Sequence, residues 1–396
     1  MYCVKKITED ITWIGSSDRK LPFFEGVYPA REGVSYNSYF VDDSKTVVID
    51  TVDKSVSGMF FENLKYMLKG RPLDYVIVTH MEPDHSATLG ELVLRYPEVK
   101  VVCNQKTVNM IKQFFDFDIE ERAVLMNEND KFSSGSHEFT FINAPMVHWP
   151  EVMMAYDSTD KILFSADAFG SFGAIDGSIF ADSVDYEKDY LDEARRYYTN
   201  IVGKYGAQVQ MALKKASSLD ISMICPLHGL VWRKDLDKIL TSYDKWSRYE
   251  AEEKGVAVLM GSIYGNSSAA ADIIAGKIAE KGLPVKILDM SVRHFSEAVS
   301  LAFKYDRIVF VSPTTDGEIF EPMAETVKAI ASRNLQNRKI AIVENGTWAP
   351  VSGKNIREML SGLKNTEIVE NTISIRSSLK EDAETLADSL VSAICD

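Results

Sequence analysis

The stretch Asp74-Tyr-Val-Ile-Val-Thr-His80-Met-Glu82-Pro-Asp84-His85 runs from a β-branched segment of buried-strand type straight into four potential metal ligands within six residues. Imidazole nitrogen and carboxylate oxygen both bind borderline divalent metals, and an irregular loop at a strand's carboxyl end can turn alternate side chains into one pocket. A tight turn at Pro83 lets His80 and Glu82 face one metal while Asp84 and His85 face a neighbour. The chain has only six histidines, and two more of them follow strand-like segments: His148 after 139–142, and His228 after 221–225 and Pro226. Asp167, in Leu163-Phe-Ser-Ala-Asp167, also sits at a strand end. Strand ends along one sheet edge converge, so these distant residues can share a site. Alone, Asp84 or Asp167 reads as a turn or cap residue and His148 as a loop histidine. As an ordered set they read as a metal centre. Asp50, in Val48-Ile-Asp50-Thr51, is expected to orient the ligand loop by hydrogen bonds rather than to bind metal. His137, in the turn Ser133-Ser-Gly-Ser-His137, and His294, beside Arg293, read as solvated surface residues.

The composition suits a two- or three-domain globular protein, with 396 residues, 45% of them apolar. Forty-four basic against 58 acidic side chains supply no basic face for nucleic acid. Cys3, Cys103, Cys225 and Cys395 are far apart and form no Cys-x-x-Cys pair, so neither a disulfide framework nor a thiolate knuckle is indicated. The opening Met1-Tyr-Cys-Val-Lys-Lys lacks the apolar core of a signal peptide, and no apolar run is long enough to cross a bilayer. The cytoplasm is the expected compartment, with no membrane partner.

Around the ligand loop, 45–49, 74–79, 99–103, 139–142, 161–164 and 221–225 read as strands, and 60–69 and 88–94 as helices. Residues 186–217 read as a longer helical stretch and 235–254 as a charged helix closing a domain. From Gly255 the rhythm changes. Strands at 256–259, 285–288, 307–311, 339–343 and 366–369 alternate with helices at 267–281, 295–303, 322–333, 356–363 and 379–395. Such alternation predicts an open parallel sheet with helices on both faces. The expected domains are 1–252 and 253–396.

The second half opens with a strand and then Gly261-Ser-Ile-Tyr-Gly-Asn-Ser-Ser268, leading into a helix. Small residues and hydroxyls there let backbone N–H groups and the helix N-terminus cradle a phosphate, and the missing lysine excludes a triphosphate P-loop. The loop resembles the flavodoxin phosphate loop, matched by Ser262, Tyr264, Gly265, Asn266 and Ser267, which binds the monophosphate of FMN. Ser312, Pro313, Thr314, Thr315, Asp316 and Gly317 follow the third strand, and Asn345, Gly346, Thr347, Trp348 and Ala349 the fourth. Both positions border the crevice at the carboxyl ends of a doubly wound sheet and match the flavin-ring loops of flavodoxin-like domains. Trp348 is the natural stacking partner for an isoalloxazine plane.

The ligand set resembles that of the metallo-β-lactamase superfamily, with Glu82 where that pattern has a histidine. The same departure is carried by the flavodiiron proteins (A-type flavoproteins, rubredoxin:oxygen oxidoreductases), which the chain resembles over essentially its whole length. The resemblance implies an N-terminal metallo-β-lactamase-like αββα sandwich followed by a flavodoxin-like doubly wound parallel sheet, an α/β and α+β combination. It implies one iron held by His80, Glu82 and His148, a second by Asp84, His85 and His228, and Asp167 bridging. The charges suit this: two ferrous ions bring four positives, and three carboxylates plus a bridging hydroxide neutralise them. The implied activity is reduction of dioxygen to water, nitric oxide to nitrous oxide, or both, at a di-iron site fed by FMN. A head-to-tail homodimer or a tetramer is implied too, with an external electron donor: a rubredoxin, a reductase or a reduced deazaflavin.

Two other readings stand beside it. One is a dinuclear zinc hydrolase of the metallo-β-lactamase superfamily with a fused flavodoxin domain, disfavoured by Glu82 and the FMN loops. The other is an electron carrier with a vestigial metal site, disfavoured by the complete set of seven ligands. Trp149 and Met146 are expected to wall the pocket, and one of Tyr197 and Tyr198 to stand behind the ligands.

Overall fold

The computed structural model describes residues 2–395, which divide into two compact units. The first runs through Tyr198 and resumes over Ala207–Asp244; the second takes Thr199–Gly206 and the chain from Lys245 onward.

Two sheets face each other in the first unit. The larger has seven strands in the order Lys5–Lys6, Ile11–Trp13, Tyr39–Val41, Val47–Ile49, Tyr75–Ile77, Lys100–Cys103 and Ala123–Leu125. It is antiparallel up to Val47–Ile49 and parallel beyond. The smaller runs Lys131–Ser133, Glu138–Asn143, Met153–Asp157, Ile162–Phe164 and Met223–Cys225, antiparallel except for its last pair. One cluster of buried side chains joins them, with Trp13, Tyr39, Ile49, Ile77 and Val102 from one sheet against Phe139, Phe141, Met153 and Phe164 from the other. Alternate residues Val48, Val76 and Val101 are also fully buried, so the opposite face of the larger sheet is covered as well.

The second unit is a parallel sheet in the order Val285–Asp289, Glu253–Met260, Tyr305–Thr315, Lys339–Asn345, with Glu367–Ile368 and Ile373–Ile375 both pairing the last. The first strand in sequence lies inside and the second outside, so the order reverses beside Glu253–Met260, where doubly wound sheets open their ligand crevice. Its helices are Asn266–Glu280, Phe295–Lys304, Glu321–Ser332, Ser352–Leu360 and Ala383–Cys395.

Three expectations need correction. The helical stretch at 186–217 is broken into Tyr186–Asp189, Leu191–Tyr197, a π-turn Tyr198–Val202, a 3₁₀ turn Gly203–Tyr205 and Gly206–Ala216. The charged helix is Leu236–Ser247, and Glu253 and Lys254 already belong to a strand, whose first register pair is Glu253 with Tyr305. His137 is buried rather than solvated, its Nδ1 2.9 Å from Asp157 Oδ2, while His294 is half-buried and caps Phe295–Lys304 by accepting from the Ser296 N–H. No helix among the described residues is long and apolar enough to cross a membrane.

Candidate metal centre and flavin loops

The ligand loop is held from below. Asp50, at the end of Val47–Ile49, accepts the Thr79 N–H at 2.7 Å, the Thr79 hydroxyl at 2.5 Å and the His80 N–H at 3.3 Å. Burial raises its carboxyl to about 6, with those bonds and the nearby His85 pulling the other way. Beyond it, Pro83 begins the single turn Pro83–Ser86, a position that needs no N–H. Thr51 donates from its backbone and hydroxyl to the His85 carbonyl, and Ser86 donates to the Met81 carbonyl. These bonds fix the turn that sends His80 and Glu82 one way and Asp84 and His85 the other.

The seven expected ligands meet in two adjoining groups. In one, His148 Nε2 lies 2.8 Å from Glu82 Oε2 and 3.1 Å from Asp167 Oδ2; His80 Nε2 lies 3.3 Å and 3.5 Å from the same atoms. In the other, Asp84 Oδ2 is 3.3 Å from His85 Nε2 and 3.1 Å from His228 Nε2, and the two imidazole nitrogens are 3.0 Å apart. Asp167 Oδ1 turns to this second group, 3.0 Å from His85 Nε2 and 3.8 Å from His228 Nε2. One carboxylate thus gives an oxygen to each group.

The donor set fits metal ions. Both oxygens of Asp84, both of Asp167 and Nε2 of His148 are buried and make no properly directed hydrogen bond despite these short separations. Side chains that approach so closely without hydrogen-bond geometry are aimed at common centres. The separations are also below twice a metal–ligand bond of about 2.1 Å, so one ion could contact each group's atoms together. With no cation, the cluster's acids favour protons on His80, His85 and His148. Burial disfavours charge on His148, yet the adjacent Asp167 and Glu82 carboxylates bring it to about 9; against the same burial, the charge of Asp167 with Glu151 and Glu82 drives His80 well above its usual range. Burial would raise Glu82 and Asp167, but the surrounding imidazoles hold both far below the usual carboxylate range.

Several neighbours were not marked by the sequence. Glu151 accepts from His80 Nδ1 at 2.8 Å and from the Met81 N–H at 2.9 Å. Glu25 sits at the exposed tip between Phe23–Phe24 and Tyr28–Pro29, where partial removal from water and then the charge of Glu82 raise its carboxyl. Of the two tyrosines, Tyr197 faces the site. Its ring lies 5.4 Å from that of His228, and its buried hydroxyl has no hydrogen bond. Tyr198 instead packs on Tyr243 at 4.9 Å. Trp149 stands perpendicular to His80 at 5.4 Å, and Phe24 edge-on to His228 at 5.3 Å. Met146 is half-buried, its backbone N–H bonded to the Trp149 carbonyl.

In the second unit, Gly261, Ser312 and Asn345 lie at the carboxyl ends of three adjacent parallel strands. Ser262 Oγ accepts the Gly265 N–H at 3.0 Å, and Gly265 takes a φ of 91°, open to glycine. Asn266–Glu280 then starts with no side-chain cap, leaving its first N–H groups for a ligand. Ser267 is buried and Tyr264 exposed. Thr314 Oγ1 accepts the N–H groups of Val351 and Ser352 at 3.0 and 3.1 Å, tying the second loop to the third. Between them Thr315 pairs Glu318 across a turn made by Asp316 and Gly317, both at positive φ. Pro313 pairs Asn345 in the ladder. In the third loop, Asn345 Nδ2 donates to the Ser377 carbonyl and Thr347 Oγ1 accepts the Ser377 hydroxyl. A Cβ at Gly346 would come within 2.8 Å of Pro350, so the loop closes only with glycine there. Trp348 is 76% exposed, a large aromatic face left uncovered beside the crevice.

Fold and site together define a metallo-β-lactamase-like unit with a two-ion donor set, joined to a flavodoxin-like unit. Residues 34–229 match the family model described as ODP family beta lactamase. The anaerobic nitric oxide reductase flavorubredoxin of Aliivibrio fischeri is 30% identical over 348 residues, covering 86% of this chain and 69% of that protein. The flavodiiron protein of Giardia intestinalis superposes with a TM-score of 0.93 at 24% identity, over 100% of this chain and 97% of that one. The rubredoxin oxygen:oxidoreductase of Desulfovibrio gigas does so with a TM-score of 0.91 at 23% identity, over 99% and 98%. The chain belongs to the flavodiiron protein family, an oxidoreductase family whose cofactors are FMN and a di-iron centre.

Proposed function

We propose that this chain reduces dioxygen to water, nitric oxide to nitrous oxide, or both, with residues 1–252 as the di-iron domain and 253–396 as the FMN domain. His80, Glu82 and His148 would hold one iron, Asp84, His85 and His228 the other, and Asp167 would bridge them. The observation that carries the reading is the division of Asp167, Oδ2 toward the first group and Oδ1 toward the second. When bound, two ferrous ions and FMN supply the electrons: four, with four protons, for each dioxygen, or two, with two protons, for each pair of nitric oxide molecules.

The chain's own side chains set the conditions for that chemistry. Three carboxylates offset four positive charges, so the pocket can be buried without a large uncompensated charge. Tyr197, Phe24 and Trp149 border the ligands with aromatic surface, which suits small apolar diatomics and keeps bulk water out. The Tyr197 hydroxyl is left able to donate into the pocket. In the flavin domain, Ser262, Tyr264, Gly265, Asn266 and Ser267 would cradle the phosphate. The 312–317 and 345–349 loops would flank the ring, with Trp348 stacked on it.

A head-to-tail homodimer, alone or paired as a tetramer, would bring one chain's FMN beside its partner's irons; family resemblance supports this. Electrons would come from outside the chain, from a rubredoxin, a reductase or a reduced deazaflavin. None of the four cysteines is in a disulfide, which suits the reducing cytoplasm. The test is metal and flavin analysis followed by steady-state turnover of each gas with a chemical reductant and mediator. About two irons and one FMN per chain with turnover of either gas is expected; two tightly held zincs and no turnover would overturn the reading.

A further inference from the structure

The two ligand groups differ in what stands behind their histidines. His228 Nδ1 donates to a neutral acceptor, the Ser35 carbonyl, at 2.7 Å. His85 Nδ1 is buried with no hydrogen-bond partner. His80 Nδ1 meets a carboxylate, Glu151 Oε1, at 2.8 Å, and both side chains are fully buried. Glu151 is itself fixed, accepting the Met81 N–H at Oε1 and receiving Asn104 Nδ2 on its backbone carbonyl at 2.7 Å. A carboxylate behind an imidazole holds the Nδ1–H tautomer, leaves the Nε2 lone pair free and makes that nitrogen a stronger donor. Here Nε2 points at Glu82 and Asp167. Charge does not separate the groups, since each has one carboxylate of its own, Glu82 or Asp84, and one oxygen of Asp167; the difference lies behind the histidines.

From this asymmetry we infer that Glu151 makes the two ion positions unequal. Acting through His80 as a positioning residue, it makes the His80–Glu82–His148 position the tighter one, filled first. The inference rests on the two-ion reading above and adds an order of filling and its cause.

The test titrates the full FMN-bound chain, stripped of metal by a chelator, with Co²⁺ alone in a calorimeter. Two steps are expected, the first at least about tenfold tighter than the second. Glu151→Gln should weaken the first step by about 10–100-fold and move the second by less than about threefold, so that the steps merge. Glu151→Asp should fall between, and His228→Ala should keep the tight step and lose the weak one. Should Glu151→Gln fail to fold, the unaltered chain still decides. Crystals given one equivalent of Co²⁺ should show the anomalous peak among His80, Glu82 and His148. A peak among Asp84, His85 and His228, or equal occupancy of both, overturns the inference. So does a Glu151→Gln chain whose two steps are unchanged or equally weakened. Two equivalents bound with equal affinity sink this inference alone, whereas fewer than two sink the two-ion reading with it.

Discussion

Asp50 and Thr79 are joined twice: the carboxylate accepts the threonine's backbone N–H at 2.7 Å and its hydroxyl at 2.5 Å, one bond to each oxygen. Among the described residues these are the shortest hydrogen bonds to the start of the ligand loop. Replacing Asp50 by Ala removes both acceptors and leaves the Thr79 and His80 amides buried without partners. Iron content should fall although Asp50 is not a ligand, with metal affinity down by about 10–100-fold. Thr79→Val, which loses one bond and keeps the amide contact, should sit nearer the parent. Iron analysis after gel filtration measures both.

Metal binding should release protons. His148 carries its proton up to about pH 9 in the metal-free chain, and an ion taking Nε2 must displace it. Apparent Co²⁺ affinity should therefore rise with pH toward about 9 and flatten above it. The metal-free chain should respond in the opposite sense. A histidine raised on folding contributes stability in full below its unfolded value of about 6.5, and that contribution is lost as pH rises through the folded value. Metal-free protein should thus melt lower on the alkaline side of about 9, while metal-loaded protein should not. Thermal melts of both forms across pH test the sign.

His137, in a group separate from the ligands, supplies a second pH-dependent contribution. Its bond to Asp157 raises it first; burial opposes, and the charges of Asp157, Asp160 and Asp43 add to the rise. The stabilisation should be complete below about 6.5 and fade at higher pH. His137→Gln should cost about 1–3 kcal/mol at about pH 6 and less at about pH 10. An equal melting deficit at both would show that the pair acts without charge.

In the second unit, Arg338 is buried and donates to the carbonyls of Ala302, Phe303, Tyr249 and Gln336. Ala302 and Phe303 lie in the last turn of Phe295–Lys304, where carbonyls lack helical partners. Burial lowers the guanidinium to about 10, still charged at neutral pH. Arg338→Met strands several buried acceptors at once and should cost about 2–4 kcal/mol, read as a lower melting temperature of the second unit. Arg338→Lys, reaching fewer of them, should recover part of the loss.

How far the chain could be read in advance depended on the range of each signal. The loop from His80 to His85 is legible because its chemistry is packed into consecutive residues. His148, Asp167 and His228 are legible because each follows a recognisable strand. Glu151 follows Pro150 with nothing to mark it, and its partner His80 is 71 residues away. His137 lies in a serine- and glycine-rich turn that reads as solvated, but Asp157, on the neighbouring strand, closes over it. The break after Tyr197 falls on weak helix formers, Thr199, Asn200, Val202, Gly203 and Gly206, but composition does not say that the chain answers with a π-turn, a change of hydrogen-bond register. Glu253 and Lys254, being charged, continue the helical pattern in sequence, yet they are the exposed start of a strand whose remaining residues are buried.

Thr314 offers the sharpest test of the flavin loops. Its hydroxyl oxygen accepts two consecutive N–H groups, of Val351 and Ser352, and so couples the end of the third strand to the start of Ser352–Leu360. The Ser352 hydroxyl returns a bond to the Ser312 carbonyl at 3.0 Å, so the two loops grip each other from both sides. Thr314→Val keeps the shape and removes the acceptor, leaving two amides to find water. If these loops frame the flavin ring, FMN should dissociate about tenfold more readily, equivalent to about 1.4 kcal/mol, while the phosphate loop at 261–268 is untouched. Thr314→Ser, which keeps the oxygen, should bind FMN as the parent does. Fluorescence titration with FMN and, separately, with riboflavin distinguishes the two loops' contributions. Loss of ring contacts weakens both ligands by the same factor, whereas damage to the phosphate cradle weakens only FMN.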